Sequence, residues 1–231
     1  MGEIFVSDLI SMISPTRKRI NREIRTLVPE LNRGGVKILE VGCGKHSRKK
    51  LFPLTNWLAT DVKRHEGVDA IADVTRLQFK SNSFDVVFCI AVLEHVFECR
   101  KAVKEIHRVL KPNGSLILSV PFLYPIHDPP NDYWRFTEFG LRELLSGFLV
   151  TEVKSLGFLW KRMPLSYFAK ARKGKNENGG FICVICGKAT NSPNGFMRHP
   201  ICQKCFKDKK KREEWKRQLK IVHPELLEVG D

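Results

Sequence analysis

The chain has 231 residues, and its 40 Lys or Arg against 25 Asp or Glu give a formal net charge of +15 at pH 7. With 42% hydrophobic and 28% charged residues, the composition is typical of a folded globular protein and excludes collagen-like and wholly disordered classes. The longest nearly apolar stretch, Leu116 to Ile126, is about half as long as the ~20 residues of a membrane-spanning helix, so no transmembrane segment is expected.

The N-terminus indicates a cytoplasmic protein. Glu3 and Asp8 interrupt the first apolar stretch, so a secretory signal is not expected. Four of the seven cysteines form two close pairs near the C-terminus, and in a reducing compartment this spacing favours metal binding over disulfides. The excess of positive charge is concentrated in the same region and favours an acidic partner.

The first predicted element is a helix within an N-terminal helical segment, residues 1–33. We expect this helix to begin after Ser14-Pro15, because serine is a common N-cap and proline is favoured at the first helical position.

Residues 34–170 are predicted to form an α/β domain. Short apolar runs alternate with helical patterns, which favours a Rossmann-like, doubly wound and mostly parallel sheet with helices on both faces. A helix is expected from Glu98 to Leu110, ended by the turn Lys111 to Gly114. After Leu149 the strands are poorly marked, which leaves open whether the last strand is short or missing. The five predicted strands are Val36–Val41, Trp57–Asp61, Ala70–Asp73, Asp85–Ile90 and Ser115–Val120.

The first predicted strand runs into the glycine-containing turn Glu40-Val-Gly-Cys-Gly44. In an open α/β sheet, ligands bind outside the carboxyl ends of the strands, where glycine lets the backbone approach them closely. A dinucleotide site would need a further glycine or alanine where this chain has Ser47, and no Gly-Lys-Ser/Thr phosphate loop follows. Both phosphate-binding interpretations are therefore disfavoured.

Over roughly residues 34–155 the chain resembles a class I S-adenosylmethionine-dependent methyltransferase of the small type 11 kind. The resemblance rests on several stretches that occur in the expected order. They are Glu40-Val-Gly-Cys-Gly44, Asp61, Asp73, Ser83-Phe-Asp-Val-Val-Phe-Cys-Ile-Ala-Val-Leu-Glu-His95 and Glu105-Ile-His-Arg-Val-Leu-Lys-Pro-Asn-Gly114. The resemblance implies S-adenosylmethionine as the cofactor.

The resemblance also implies roles for residues at the strand ends. Asp61 would accept hydrogen bonds from both ribose hydroxyls, as an acidic side chain at the end of a second strand can do. Asp73 would bind the exocyclic amine of adenine, and Glu40 would hold the methionine ammonium. A lone aspartate in such a place is often only a turn former. The residues expected to admit the methionine part or to line the floor are Gly42, Gly44, Ile90 and Ala91.

One departure from the family pattern lies beside these residues. Lys45-His46 stands where the family often has a third glycine, so the loop near the methionine carboxylate is expected to differ in shape.

The polar segment Pro121 to Thr137, which follows the fifth strand, is expected to form the acceptor wall or a lid. His127 or Asp128 could take a proton from the acceptor. Arg135 could hold an anionic acceptor, with Tyr133 and Trp134 packing on a flat or sugar-like one. The competing interpretation is a proline-braced loop held by its own hydrogen bonds.

His95, after the fourth strand, lies either near the transferred methyl group or only at the start of a helix.

A polar linker, residues 171–180, separates the domain from residues 181–231, which are predicted to form a small zinc-binding module with a basic C-terminal helix. Two Cys-x2-Cys pairs separated by 15 residues fit a structural zinc site, with an iron centre or a redox dithiol pair as alternatives. The basic run Lys207 to Lys220 either contacts phosphate or is a solvated helix. The predicted zinc ligands are Cys183, Cys186, Cys202 and Cys205.

The sequence therefore predicts a methyltransferase whose zinc module recruits a substrate or partner. The basic tail favours RNA or a ribosomal protein, whereas the segment His127 to Thr137 favours a glycan or lipid acceptor. The alternative is a non-catalytic S-adenosylmethionine-binding or zinc-ribbon interaction protein.

Overall fold

A computed structural model of the chain describes residues 6–159, 163–174, 181–182, 189–190, 207–210 and 213. The chain divides into two compact units, Met1–Lys173 and Gly174–Asp231. In the second unit, the described strands Phe181–Ile182 (β8) and Ala189–Thr190 (β9) pair antiparallel. The predicted zinc ligands Cys183, Cys186, Cys202 and Cys205 lie outside the described residues.

The first unit contains a seven-stranded sheet. Its strands are β1 (Lys37–Val41), β2 (Asn56–Asp61), β3 (Ala70–Ile71), β4 (Phe84–Ile90), β5 (Leu110–Pro121), β6 (Leu149–Phe158) and β7 (Pro164–Arg172). Their order is β3-β2-β1-β4-β5-β7-β6, and β7 is antiparallel to both of its neighbours. The other pairings, from β3 through β5, are parallel, which confirms the predicted mostly parallel, Rossmann-like sheet.

Among the described residues of the first unit, four α-helices accompany the sheet: α1 (Val6–Arg25), α2 (Val28–Leu31), α3 (Cys99–Val109) and α4 (Glu138–Leu144). Successive strand residues point to opposite faces, so Ile38 belongs to the buried cluster that contains Ile24 of α1, whereas Leu39 belongs to the cluster that contains Ile106 of α3. Both faces are thus covered by helices. Among the residues that the structure describes, no helix combines the length and apolar character needed to cross a membrane.

Helix α1 begins earlier than predicted. It starts at Val6 and continues through Pro15, so the expected N-cap at Ser14 is wrong. Proline inside a helix costs about 3 kcal/mol. Ile20 and Ile24 are buried under the sheet, and complete burial of such side chains stabilises by about 1.5–3 kcal/mol each, which can offset that cost.

Two strand boundaries also differ from those predicted. Strand β5 starts at Leu110, so the residues expected to form a turn, Lys111 to Gly114, lie within its assigned span. Strand β3 ends at Ile71 rather than Asp73. The Asp73 carboxylate accepts a hydrogen bond from the Thr75 N–H at 2.7 Å and turns the chain there.

The last two strands are complete, so the sequence-based possibility of a short or missing final strand is wrong. Strand β7 lies between β5 and β6 and is buried along most of its length, whereas β6 is at the edge and is mostly half-buried. The sequence pattern was weak because β6 mixes charged and apolar side chains, as an edge strand tolerates.

Candidate active site

A cavity of about 1370 Å³ opens at the carboxyl ends of the central strands. Its wall is built by the residues that follow β1, β2, β3, β4 and β5, and helix α1 contributes Thr16, Arg17 and Ile20. The order of the strands reverses between β1 and β4, which is where an open α/β sheet forms its ligand crevice. These α1 residues could not be predicted from the sequence, because the pattern of an amphipathic helix does not show which part of the protein it packs against.

The turn after β1 requires glycine at position 42. Gly42 has φ of 61°, and a Cβ built there would lie 2.5 Å from Cγ2 of Val92. Gly44 also has positive φ, at 56°, and its N–H donates to Oδ2 of Asp61 at 2.8 Å. The turn therefore lies against Val92, just after β4, and is hydrogen-bonded to Asp61 at the end of β2.

Asp61 lies at the end of β2 in the cavity wall and is 9% exposed. Its other oxygen, Oδ1, accepts the Lys63 N–H at 3.0 Å, so backbone amides hold both carboxylate oxygens. Each oxygen has a second lone pair, which leaves the carboxylate able to accept from a ligand.

Asp73 also lines the cavity but is exposed. Its Oδ1 accepts from the N–H and the hydroxyl of Thr75, at 2.7 and 2.8 Å. The Asp73 side chain therefore stabilises a turn, which is one of the two interpretations that the sequence left open. Its position in the cavity wall is also compatible with the other interpretation, a contact with adenine.

Glu40 does not line the cavity. Its carboxylate is buried and accepts from the Ser47 hydroxyl at 2.6 Å, from Nη1 of Arg48 at 2.9 Å and from Nε1 of Trp57 at 3.1 Å. This geometry argues against the ammonium contact predicted for Glu40. The loop that begins at Lys45-His46 folds so that Ser47 and Arg48 bind this carboxylate, and Glu40 thereby positions the loop.

Ile90, at the end of β4, and Ala91, which follows it, form part of the cavity wall. Ala91 has φ of 56°, a conformation that costs a non-glycine residue energy, and its N–H donates to the Ser119 carbonyl at 2.9 Å. Pairing with β5 stabilises this strained position.

The acceptor segment, residues 121–137, brings His127 against His95. The two Nε2 atoms are 3.1 Å apart, and both residues line the cavity. Asp128 is exposed at the cavity wall and has φ of 51°. The structure thus places His95, His127 and Asp128 in the wall of the same cavity, although the sequence left the position of His95 open.

Arg135 stabilises the acceptor segment through hydrogen bonds to other residues of that segment. Its guanidinium forms a bidentate ion pair with Asp132, at 2.6 and 2.7 Å, and also donates to the carbonyls of Tyr124, Pro125 and Trp134. These bonds use all five N–H donors. They argue against the anion-binding role predicted for Arg135. The hydrogen-bonded guanidinium also holds the pKa of Asp132 well below its ordinary value.

Glu94 is a buried acid that the sequence did not select as a site residue. Its side chain lies in the cavity wall with the residue only 1% exposed, and its Oε2 has no hydrogen-bond partner among the residues that the structure describes. Burial raises the pKa of Glu94 to about 8. No short motif distinguishes such a residue, because its burial depends on the packing of the acceptor segment over it.

Aromatic side chains lie at the rim of the cavity. Tyr133 lines the cavity and packs edge-on against Phe97, with ring centroids 5.5 Å apart. Trp134 has its ring centroid 6.3 Å from that of Phe97 and donates from Nε1 to the Val96 carbonyl at 3.0 Å. The structure therefore places Tyr133 where it can contact an acceptor and gives Trp134 a bracing contact.

Comparisons with known proteins agree with this geometry. Residues 39–118 match the family model described as a methyltransferase domain. The chain is 31% identical over 113 residues to the ubiquinone/menaquinone biosynthesis C-methyltransferase UbiE of Haemophilus ducreyi, covering 49% of this chain and 43% of that protein. It is 37% identical over 109 residues to an uncharacterized protein of Methanocaldococcus jannaschii, covering 44% of this chain and 48% of that protein. The chain thus spans about half the length of the curated relatives that it matches.

A solved structure with a similar fold is the 1,6-didemethyltoxoflavin-N1-methyltransferase of Burkholderia thailandensis, with bound 1,6-didemethyltoxoflavin and S-adenosylhomocysteine. The TM-score is 0.54 at 21% identity, over 73% of this chain and 86% of that chain. Residues 39–118 of the first unit are thus similar to a methyltransferase domain, and the strand order and the cavity are compatible with that similarity.

Proposed function

We propose that the protein transfers a methyl group from S-adenosylmethionine to an acceptor that enters the cavity beside His127. The observation that carries this proposal is the position of Asp61. Two backbone amides hold its carboxylate in the cavity wall at the end of β2, beside the glycine turn after β1. An acidic group fixed at this point suits the two ribose hydroxyls of a nucleoside.

The residues present fit S-adenosylmethionine. Asp61 and Asp73 would hold its adenosine part, and the turn from Gly42 to Gly44 would admit its methionine part. The hydroxyls of Thr16 and Ser166 lie in the cavity wall, are buried and have no partner within the part of the chain that is described, so they offer bonds to polar ligand atoms. Ile90 and Ala91 would form the floor.

Bound S-adenosylmethionine supplies a methyl group that is already activated as part of a sulfonium. The protein's contribution is mainly alignment, because a displacement needs the acceptor atom in line with the departing sulfur. The acceptor segment would provide this alignment. His127 and Asp128 would act at this end of the cavity, with Tyr133 at the rim against the acceptor.

We also propose that Cys183, Cys186, Cys202 and Cys205 bind a structural zinc ion in a cytoplasmic protein. Four thiolates fill a tetrahedral zinc shell, so this ion would fold the second unit and would not catalyse the reaction. The basic residues of that unit support recruitment of RNA or a protein, and the acceptor segment supports a glycan or lipid.

Methyl transfer from tritium-labelled S-adenosylmethionine into fractionated host lysate tests the proposed function. We expect label in one fraction among RNA, protein, and glycan or lipid, which identifies the acceptor class. Calorimetry with S-adenosylhomocysteine tests cofactor binding separately. Cofactor binding without label in any fraction would instead support the non-catalytic alternative.

A further inference from the structure

The contact between His95 and His127 is unusual. Their Nε2 atoms are 3.1 Å apart, with the two rings edge to face at a centroid distance of 4.6 Å. A hydrogen bond at this distance would require a proton on one of the two nitrogens.

The surroundings of the two rings decide where their protons lie. Nδ1 of His95 is 2.7 Å from the Asn131 carbonyl oxygen. Nδ1 of His127 is 3.1 Å from the Pro125 carbonyl and 3.2 Å from the Asp132 carboxylate. Carbonyl and carboxylate oxygens only accept, so each Nδ1 carries a proton. A neutral imidazole has one N–H, and both Nε2 atoms therefore present lone pairs to each other.

Two facing lone pairs repel unless a cation lies between them. Glu94 supplies a third ligand atom at the same place. One ligand atom each from Glu94, His95 and His127 lies within 4.8 Å of the other two, and within the described part of the chain Oε2 of the buried Glu94 has no hydrogen-bond partner.

We propose that Glu94, His95 and His127 together bind one divalent first-row transition-metal ion. Metal–nitrogen bonds of about 2.1 Å to nitrogens 3.1 Å apart make an angle of about 95°, which suits neighbouring positions of an octahedral shell. Two histidines and one carboxylate are a known ligand set for such ions.

The outer contacts also fit a metal site. Histidines that bind metals usually donate their other N–H to a carbonyl or carboxylate, which fixes the ring orientation. Asn131 does this for His95, and Pro125 and Asp132 do it for His127. The Asp132–Arg135 ion pair described above would hold that outer contact in place. All three ligands line the cavity, so the remaining coordination positions would be open to water or to an acceptor oxygen.

This proposal rests on the proposed function only for what the ion does in the cavity. The binding of the metal itself is independent of methyl transfer. A shared proton is the competing occupant of the space between the two histidines, since one protonated imidazole would also remove the repulsion.

Manganese is the probe that distinguishes these occupants. Mn²⁺ prefers oxygen and nitrogen ligands over thiolates, so the cysteine pairs of the second unit interfere little. The full chain, dialysed against a chelator, would be titrated with Mn²⁺ while electron paramagnetic resonance counts the free ion. We expect one bound Mn²⁺ per chain.

Variants then locate the bound ion. His127→Gln, His95→Ala and Glu94→Gln should each weaken Mn²⁺ binding at least tenfold. His65→Ala should leave it unchanged, because His65 lines the same cavity outside the three-residue cluster. Wild-type protein that leaves millimolar Mn²⁺ free, or variants that bind Mn²⁺ like the wild type, would overturn the proposal.

Calorimetry with S-adenosylhomocysteine on the same proteins separates the two proposals and shows that the variants fold. Retained cofactor binding with lost Mn²⁺ binding supports the metal site. If the wild type binds Mn²⁺ but not S-adenosylhomocysteine, the proposed function fails and the metal site stands. Loss of both ligands in the three variants, with both retained in His65→Ala, would reassign the cluster to the packing of the fold and overturn the metal site.

Discussion

Gly42 lies so close to Val92 that the addition of a single methyl group at this position should disturb the turn. Gly42→Ala would place Cβ 2.5 Å from Val92 in a backbone conformation that alanine disfavours, so the turn must move. We expect Gly42→Ala to lose S-adenosylhomocysteine binding in calorimetry. Gly67→Ala is the matched control, because Gly67 has φ of 84° with no atom within 4 Å of the added Cβ. Gly67→Ala should lower the free energy of unfolding by only ~1–2 kcal/mol and should still bind S-adenosylhomocysteine.

Asp61 gives the most direct test of the cofactor site. Removal of a hydrogen bond to a charged group typically costs ~1.5–3 kcal/mol, or about ten- to over a hundredfold in affinity. We expect Asp61→Ala to weaken S-adenosylhomocysteine binding by this factor. Asp73→Ala should also weaken it. Asp85→Ala is the control, since Asp85 is at the amino end of β4 and pairs with Lys111. Unchanged affinity in both Asp61→Ala and Asp73→Ala would remove the site assignment.

At the scale of elements, the acceptor segment should affect turnover more than cofactor binding. We expect His127→Ala and Asp128→Ala to reduce methyl transfer while S-adenosylhomocysteine affinity stays within a few-fold of the wild type. The physical reason is that both residues belong to the acceptor segment after β5, whereas Asp61 lies at the end of β2 and is held by the backbone amides of Gly44 and Lys63. A collapse of cofactor affinity with normal turnover of the bound enzyme would mean that the segment is a cofactor lid.

Helix α3 carries a histidine that makes stability depend on pH. Burial, and secondarily the charge of Lys173, lower the pKa of His107 from 6.5 to about 4, and its ring packs edge-on against Phe148. Between these values the unfolded chain binds a proton that the folded chain does not. We therefore expect the free energy of unfolding to decrease as the pH falls from about 6.5 to about 4.

Urea unfolding at several pH values would measure this dependence. His107→Gln should reduce the slope over that range, whereas His65→Gln, outside α3, should not. An unchanged slope in His107→Gln would contradict the assignment of the pH dependence to this helix.

The strand cores of β1, β2 and β4 could be predicted because their apolar runs reflect burial on both faces. The end of β3 and the start of β5 could not, since Asp73 and the turn-like residues from Lys111 to Gly114 are decided by side-chain contacts and strand pairing. The role of Glu40 was missed for a similar reason. Its partners Ser47 and Arg48 come from a loop, and Trp57 comes from a neighbouring strand.

At the scale of the whole molecule, the two units should respond differently to loss of metal. We expect one zinc ion per chain, and we expect S-adenosylhomocysteine binding to survive its removal by a chelator, because the first unit has its own core. Elemental analysis and calorimetry before and after chelation would measure both. Cys183→Ala with Cys186→Ala should remove the zinc and leave the cofactor affinity unchanged. A simultaneous loss of cofactor binding and structure on chelation would contradict this independence.

The position of β7 has a consequence for how the sheet is completed during synthesis. Strand β6 is at the edge of the sheet and pairs with β7, which follows it in the chain. When β6 leaves the ribosome it therefore has no partner, and β5 has an open side. Both gain their partner only from residues 164–172, so the sheet of the first unit can be completed only after β7 has been synthesised.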